Sequence, residues 1–261
     1  MVAKNSRYRL YNCTDEDGRE LLFQVAADSS HNGEISRNAW VLSRLAKRSD
    51  EIEAEYAATQ TGADWVVPLN YKLGFPEVHD SFITQTKQVN ILGFRNVPSV
   101  KSMIPVIKIW KDSLRVDLRT SAWMAGKLLK LLVFTHDHRF QVGDGQISGN
   151  NLLIEPDEHY ILIFDWSKAV IHDGQVSAKV KRGEIKAAAQ VIIEALGDDL
   201  ERAQENEHDV TYTNYLRSLA VSGESDASKA HETFYRIIDD LCENPDSVWE
   251  KGFYKFTTYD R

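Results

Sequence analysis

Up to Ile91 the apolar positions come in short runs with strand character. Tyr8 to Cys13 alternates in part, Thr14 to Gly18 has turn composition, and Leu21 to Ala26 reads as a second strand, so the three predict a hairpin. From Glu34 to Lys47 the period lengthens, with Ile35, Ala39, Leu42 and Leu45 on one face of a helix. The charged stretch from Arg48 to Gly62 reads as helical but solvated, and Asp80 to Thr84 and Val89 to Gly93 read as two more strands. Two short helical stretches between Val100 and Leu118 then lead to a longer helix, Ser121 to His136. Its Met124, Leu128, Leu131, Leu132 and Thr135 form one stripe. After the apolar run Ile161 to Phe164 the chain turns helical again. One helix carries Ile185, Ala188, Ala189, Ile192, Ile193 and Leu196, with Gly197 as its C-cap. Tyr212, Tyr215, Leu216 and Leu219 define another, and Phe234, Ile237, Ile238 and Leu241 a third, after a polar loop from Ser222 to Lys229. The acidic run Asp198 to Asp209 is expected as a solvated surface loop, and the aromatic tail Phe253 to Phe256 is expected to pack back on the body.

Composition narrows the classes of function. A chain of 261 residues fits one large domain or two lobes with ample core. The net charge of −8 argues against non-specific binding to nucleic acid or anionic membrane. No apolar run approaches the ~20 residues of a membrane span, and the start Met-Val-Ala-Lys-Asn-Ser-Arg lacks an apolar signal-peptide core. Cys13 and Cys242 lie far apart in no metal-binding pattern, which reads as reduced thiols in a cytoplasmic chain. Six tryptophans, Trp40, Trp123 and Trp166 among them, are expected as core anchors. The histidines His31, His79, His159, His172, His208 and His231 form no spaced metal cluster, and no serine sits in a Gly-x-Ser-x-Gly setting.

The chemistry concentrates between His136 and Val170. His136 ends the long helix, and Asp144 follows eight residues later in Val-Gly-Asp. Asn150 and Asn151 open the run Leu152-Leu153-Ile154, and Asp165 leaves the run Ile161 to Phe164 as Asp-Trp-Ser. A loop carboxylate, a loop carboxamide and a strand-end carboxylate are the groups that orient a hydroxyl and hold Mg²⁺ on a triphosphate. The block resembles the catalytic core of the protein-kinase and aminoglycoside-phosphotransferase superfamily. The order of elements extends the resemblance over roughly Tyr8 to Leu241, while its specific motifs stay within this block. The resemblance implies that Asp165 is a Mg²⁺ ligand, that Asn151 or its neighbour Asn150 is the second, and that Asp144 is the catalytic base, with His136 a structural helix-end residue.

Other parts of the family's machinery are altered. Val142 stands where the loop His would, and Asp144 precedes Asn151 by seven residues, a longer interval than the family's, so the small-residue loop Gly145 to Gly149 is extended. The family's lysine strand is matched by Leu22-Phe23-Gln24-Val25-Ala26, with Gln24 in the lysine's place, unless the register differs by a few residues. The helix Glu that pairs with that lysine is replaced by Asn38. Gln24 and Asn38 are suited to hydrogen-bond each other, but an amide lacks the charge that steadies the phosphates. Arg37 and Glu34 lie near enough in sequence to compensate. Only 23 residues precede Gln24, and the turn they offer carries Asp15, Glu16 and Asp17, which repel a triphosphate. The family's first strand and glycine-rich loop are therefore expected to be absent or supplied from elsewhere. No Ala-Pro-Glu occurs, and the helix pattern at Ile185 begins about twenty residues after Asp165, a short connection that disfavours a peptide platform and is shared with small-molecule phosphotransferases.

These features predict an α+β, bilobal protein-kinase-like fold. Residues 1–96 form a small antiparallel-sheet N-lobe with one helix and no glycine-rich loop, and residues 97–261 a mainly helical C-lobe. The expected function is a pseudokinase-like binding or regulatory module with no cofactor, or with weakly bound ATP and Mg²⁺. Its partner is a protein rather than nucleic acid or membrane, and its oligomeric state is open. The alternative is an active ATP- and Mg²⁺-dependent phosphotransferase acting on a small molecule or a protein hydroxyl, with Asp144 as base and Asn151 and Asp165 as metal ligands.

Overall fold

The hairpin near the start of the chain is one part of a five-stranded antiparallel sheet in the computed structural model, which describes residues 3–60, 67–97, 99–247, 249 and 258–261. The chain divides into two compact units, Met1–Ser102 with Phe164–Lys168, and Met103–Ile163 with Ala169–Arg261.

In the first unit the strands are β1 (Ala3–Lys4), β2 (Tyr8–Thr14), β3 (Glu20–Ala26), β4 (Glu77–Thr84) and β5 (Lys87–Gly93). They lie in the order β1-β2-β3-β5-β4, so the sheet is open and β3 is central. Between β3 and β4 runs α1 (Asn32–Thr59), which packs on β3, β4 and β5 through Ile35, Ala39, Leu42 and Leu45. Gln85 and Thr86 both have positive φ in the β4–β5 turn, the backbone that matches a two-residue hairpin to strand twist. The predicted helix and the charged stretch after it form one continuous helix as far as Thr59.

In the second unit β6 (Ile104–Pro105), α2 (Val106–Lys111) and β7 (Leu114–Val116) lead into α3 (Leu118–Asp137). Asp117 caps α3, accepting from the Thr120 N–H at 2.7 Å. The helix is buried on nearly every side and packs on α4 (Ala178–Ala195) and α7 (Ala227–Glu243). Before α4 come the short strands β8 (Phe140–Gln141), β9 (Leu152–Glu155), β10 (Tyr160–Ile163) and β11 (Val170–Ile171). β10 pairs with β9, β9 with β6, and β8 with β11. The helices α5 (Leu200–Ala203) and α6 (Asp209–Val221) precede α7, and β12 (Thr258–Asp260) pairs with β7. Gly197, at φ +91°, ends α4 as the C-cap pattern predicts.

Four expectations need correction or limitation. A first strand does exist: β1 pairs antiparallel with β2 through Ala3↔Leu10 and Lys4↔Arg9. Trp40 is no core anchor but 45% exposed, because it lies off the Ile35–Ala39–Leu42–Leu45 stripe of its helix, whereas Trp123 and Trp166 are buried as expected. The stretch from Asp198 to Asp209 is not simply a solvated loop. Leu200 and Ala203 are buried, and Asp209 is fully buried with three donors: the Trp249 indole N–H at 2.8 Å and the Glu205 and Asn206 N–H groups at 2.7 and 3.2 Å. Its sign of charge misleads, since three donors make a buried carboxylate tolerable. Phe253 to Phe256 lie outside the described residues.

The α3–α7 contact is close because residue 126 has no side chain. A Cβ there would meet the Phe234 ring at 2.8 Å. Gly126→Ala should therefore destabilise the chain by about 1–3 kcal/mol through overpacking, although alanine is the better helix former. Urea titration checks this, and Phe234→Leu in the same chain should restore part of the loss.

Candidate functional site

Gln24 occupies the middle of β3, directly opposite Asn90 on β5 and beneath Asn38 of α1, and all three side chains are fully buried. The Asn38 and Asn90 amides both donate to Gln24 Oε1, at 3.0 and 2.9 Å. Their orientations are forced by the backbone. Asn38 Oδ1 accepts the Trp166 N–H at 2.7 Å, and Asn90 Nδ2 donates to the Ile35 carbonyl at 2.7 Å. Each asparagine therefore presents a donor to Gln24, which must answer with its oxygen. Gln24 Nε2 is left without a protein partner among the described residues. The contact between Gln24 and Asn38 is the one their types allow; Asn90 was not singled out. Its signal lay in a carboxamide inside the apolar run Val89-Asn-Ile-Leu92, on a strand whose faces are both largely buried.

Asp165 follows β10 and is only 1% exposed. Its Oδ1 accepts the Ser167 N–H at 2.8 Å, a local turn that turns the carboxylate back on its own chain. Its Oδ2 lies 2.6 Å from Arg7 Nη2. The same guanidinium donates through Nη1 to Ser167 Oγ at 2.9 Å and to Glu34 Oε2 at 3.3 Å. Lys168 Nζ approaches the other Glu34 oxygen at 3.4 Å. Arg7 and Lys168 thus face Asp165 and Glu34, a cluster with no net charge. Burial works against the Arg7 charge, but Asp165 and Glu34 outweigh it and hold its pKa above the ordinary value. Burial likewise opposes the Glu34 charge, and Arg7 and Lys168 still hold that carboxyl below its usual range. Beside them the Tyr8 hydroxyl is pushed up, by burial first and then by the Asp165 charge.

Arg7 reaches this position from the turn between β1 and β2. Asn5 Oδ1 accepts the N–H groups of Arg7 and Tyr8 at 2.9 and 2.8 Å, and the Asn5 N–H donates to the Tyr8 carbonyl at 3.0 Å. The turn that precedes the β2–β3 hairpin is therefore an asparagine turn that delivers a cation. Nothing in the residue pattern marked Arg7, since one arginine in a polar turn is ordinary.

The other two predicted site residues belong to the second unit. Asp144 is exposed, on a loop with positive φ at Gly143 and Gly145. The base of that loop is pinned from α4, where Glu184 accepts the Gly143 N–H at 3.0 Å through Oε1 and meets His136 Nε2 at 2.8 Å through Oε2. His136 is buried, as a structural helix-end residue should be. Asp144 lines a cavity of about 440 Å³ with Lys179, Gly183 and Glu184. Asn151 spends its amide on the extended loop, donating to the Gln146 carbonyl at 3.0 Å and lying 3.3 Å from Gln146 Oε1.

No family model and no curated protein sequence matches the chain. Among solved structures, the crystal structure of the BubR1 kinase domain matches with a TM-score of 0.62 at 9% identity, covering 93% of this chain and 80% of that one. The chain therefore has the protein-kinase-like fold: bilobal and α+β, with an open sheet in its N-terminal region and helices in its C-terminal region. At this identity the likeness is one of fold.

The amide network makes the Gln24 position intolerant of charge. Gln24→Lys would set an ammonium against two amide donors in a fully buried site, a loss of about 3–5 kcal/mol for an uncompensated charge. Asn38→Glu supplies a partner and can still accept the Trp166 N–H. The double variant should therefore be more stable than the sum of the two single effects by about 0.5–3 kcal/mol, read from denaturant midpoints of the four chains. Strict additivity would count against direct contact.

Proposed function

We propose that this chain is a pseudokinase-like binding or regulatory module that does not transfer phosphate. The carrying observation is the Arg7 guanidinium at 2.6 Å from the Asp165 carboxylate. That carboxylate is the resembled family's metal ligand, and here a protein cation already compensates it. Mg²⁺ is bound through one or two carboxylates with phosphates completing its shell. One Asp165 oxygen accepts the Ser167 N–H and the other faces the Arg7 guanidinium, so both already meet positive charge, which supports a reading without a metal ion.

Three further observations support the reading. Gln24 offers an uncharged amide where the family's lysine offers a cation. The turn before β2 presents Asn5, Ser6 and Arg7 rather than glycines. Asn151 is hydrogen-bonded within its own loop. On this reading the chain acts through its surface on a protein partner, with no nucleotide or metal required. No described helix is long and apolar enough to cross a membrane.

A second reading, phosphotransfer to a small molecule, draws on one observation, the exposed Asp144 beside a cavity of about 440 Å³. The two readings separate in solution. On the first, ATP with Mg²⁺ or Mn²⁺ leaves the melting temperature unchanged, since only a ligand bound by the native state raises it. Radiolabelled ATP then gives no transfer to the chain or to a metabolite panel. Transfer that disappears in Asp165→Ala and in Asp144→Asn would establish the second reading instead.

The ion pair itself has a stability signature. Arg7→Ala strips the counter-charge from a buried carboxylate and should cost about 3 kcal/mol, the low end for such pairs because Arg7 keeps some exposure. Arg7→Lys should recover part of this, since it returns the charge without the planar fork. Chemical denaturation of the three chains is the measurement.

A further inference from the structure

We propose that the solvent face of α1 from Ser36 to Lys47 is a docking site for an acidic polypeptide segment carrying an apolar side chain, with Trp40 as its anchor. This names the kind of partner for the binding module proposed above and rests on that reading.

The first ground is the side chain itself. Trp40 is the largest residue type, 45% exposed, and set on the side of α1 away from the Ile35–Leu45 stripe, so its exposed surface has no packing role among the described residues of this unit. Arg37 and Arg44, one turn before it and one turn after, place their guanidinium carbons 5.9 and 5.1 Å from its ring centre. Stacking of this kind holds a broad apolar face and two cations in one arrangement before anything binds, which lowers the entropy lost on binding. Tryptophan and arginine are also the residue types that dominate interface hot spots.

The second ground is charge. From Ile35 to Ser49 the helix carries Arg37, Arg44, Lys47 and Arg48 and no acidic residue, in a chain whose net charge is −8. Arg48 turns along the helix toward Glu51 and Glu55, while Arg37 and Arg44 stack on the indole and Lys47 lies exposed two turns beyond Trp40. The chemistry that complements a cation–indole–cation strip is a carboxylate on either side of an apolar group. A nucleic acid strand fits less well. It is a long polyanion, and beyond the strip it meets Asp50, Glu51 and Glu55 on the next turns and the negative field of the whole chain. A short acidic segment covers the strip alone.

The test is fluorescence anisotropy with the full chain. The probe is a short labelled peptide of acidic residues around a central phenylalanine. Controls are the same peptide with glycine at the centre, a basic counterpart, and single-stranded oligothymidylate. The acidic phenylalanine peptide should bind best and weaken with added salt, and Trp40→Ala and Arg44→Glu should each lower its affinity about tenfold or more. Both positions are exposed, so the melting temperature of each variant should stay close to that of the parent chain, and lost binding then reports the surface and not the fold. Equal binding by the parent and both variants overturns the proposal, as does tighter binding of oligothymidylate or of the basic peptide. Phosphate transfer is scored separately on the same preparations. Transfer with intact peptide binding removes the inactive-module reading and keeps the docking strip. Absent transfer with absent peptide binding removes the strip alone.

Discussion

A carboxylate taken out of water needs a positive charge or several donors within reach, and Asp165 is buried almost completely. In this chain the charge is Arg7, and much of the first unit is arranged around supplying it. The short strand β1 and the Asn5 turn set the position from which Arg7 reaches Asp165. Glu34, at the start of α1, takes the remaining guanidinium contact and balances Lys168. The Asp165-Trp166-Ser167 segment is consequently held from two sides, by Arg7 through its side chains and by Asn38 through the Trp166 backbone.

Once a guanidinium neutralises Asp165, a second buried cation on β3 would lack a partner, and Gln24 avoids that problem. Its oxygen collects two asparagine donors; Asn38 accepts a backbone N–H through its oxygen, and Asn90 gives its second amide hydrogen to a backbone carbonyl. A network of neutral amides carries a smaller desolvation cost than a lysine–glutamate pair, and it still ties β3, β5 and α1 to one register. Gln24 Nε2 has no partner among the described residues, a cost of about 1–3 kcal/mol for an unmet buried donor.

The second unit shows a related division between scaffold and chemistry. Glu184 and His136, buried and bonded to each other, fix the root of the 143–151 loop. Within that loop the Asn151 amide donates to the Gln146 carbonyl and closes a turn.

Periodicity and turn composition alone determined the order of elements: hairpin, helix, two strands, then helices. That follows because apolar spacing reflects which face must leave water, a property local to each segment. The resemblance to the kinase family matched Gln24 and Asn38 to two positions that face each other, and their amides do meet. The helical phase of α1 already excluded Trp40 from the buried stripe, and residue type misled only because tryptophan is so often internal. Tertiary structure alone decided the partners of the charges. That Arg7 would find Asp165, 158 positions later, that Asn90 would complete the amide cluster, and that Asp209 would gather three donors all depend on chain segments brought together by folding. A Coulomb contact or a buried hydrogen bond has no period along the chain, so no local pattern records it.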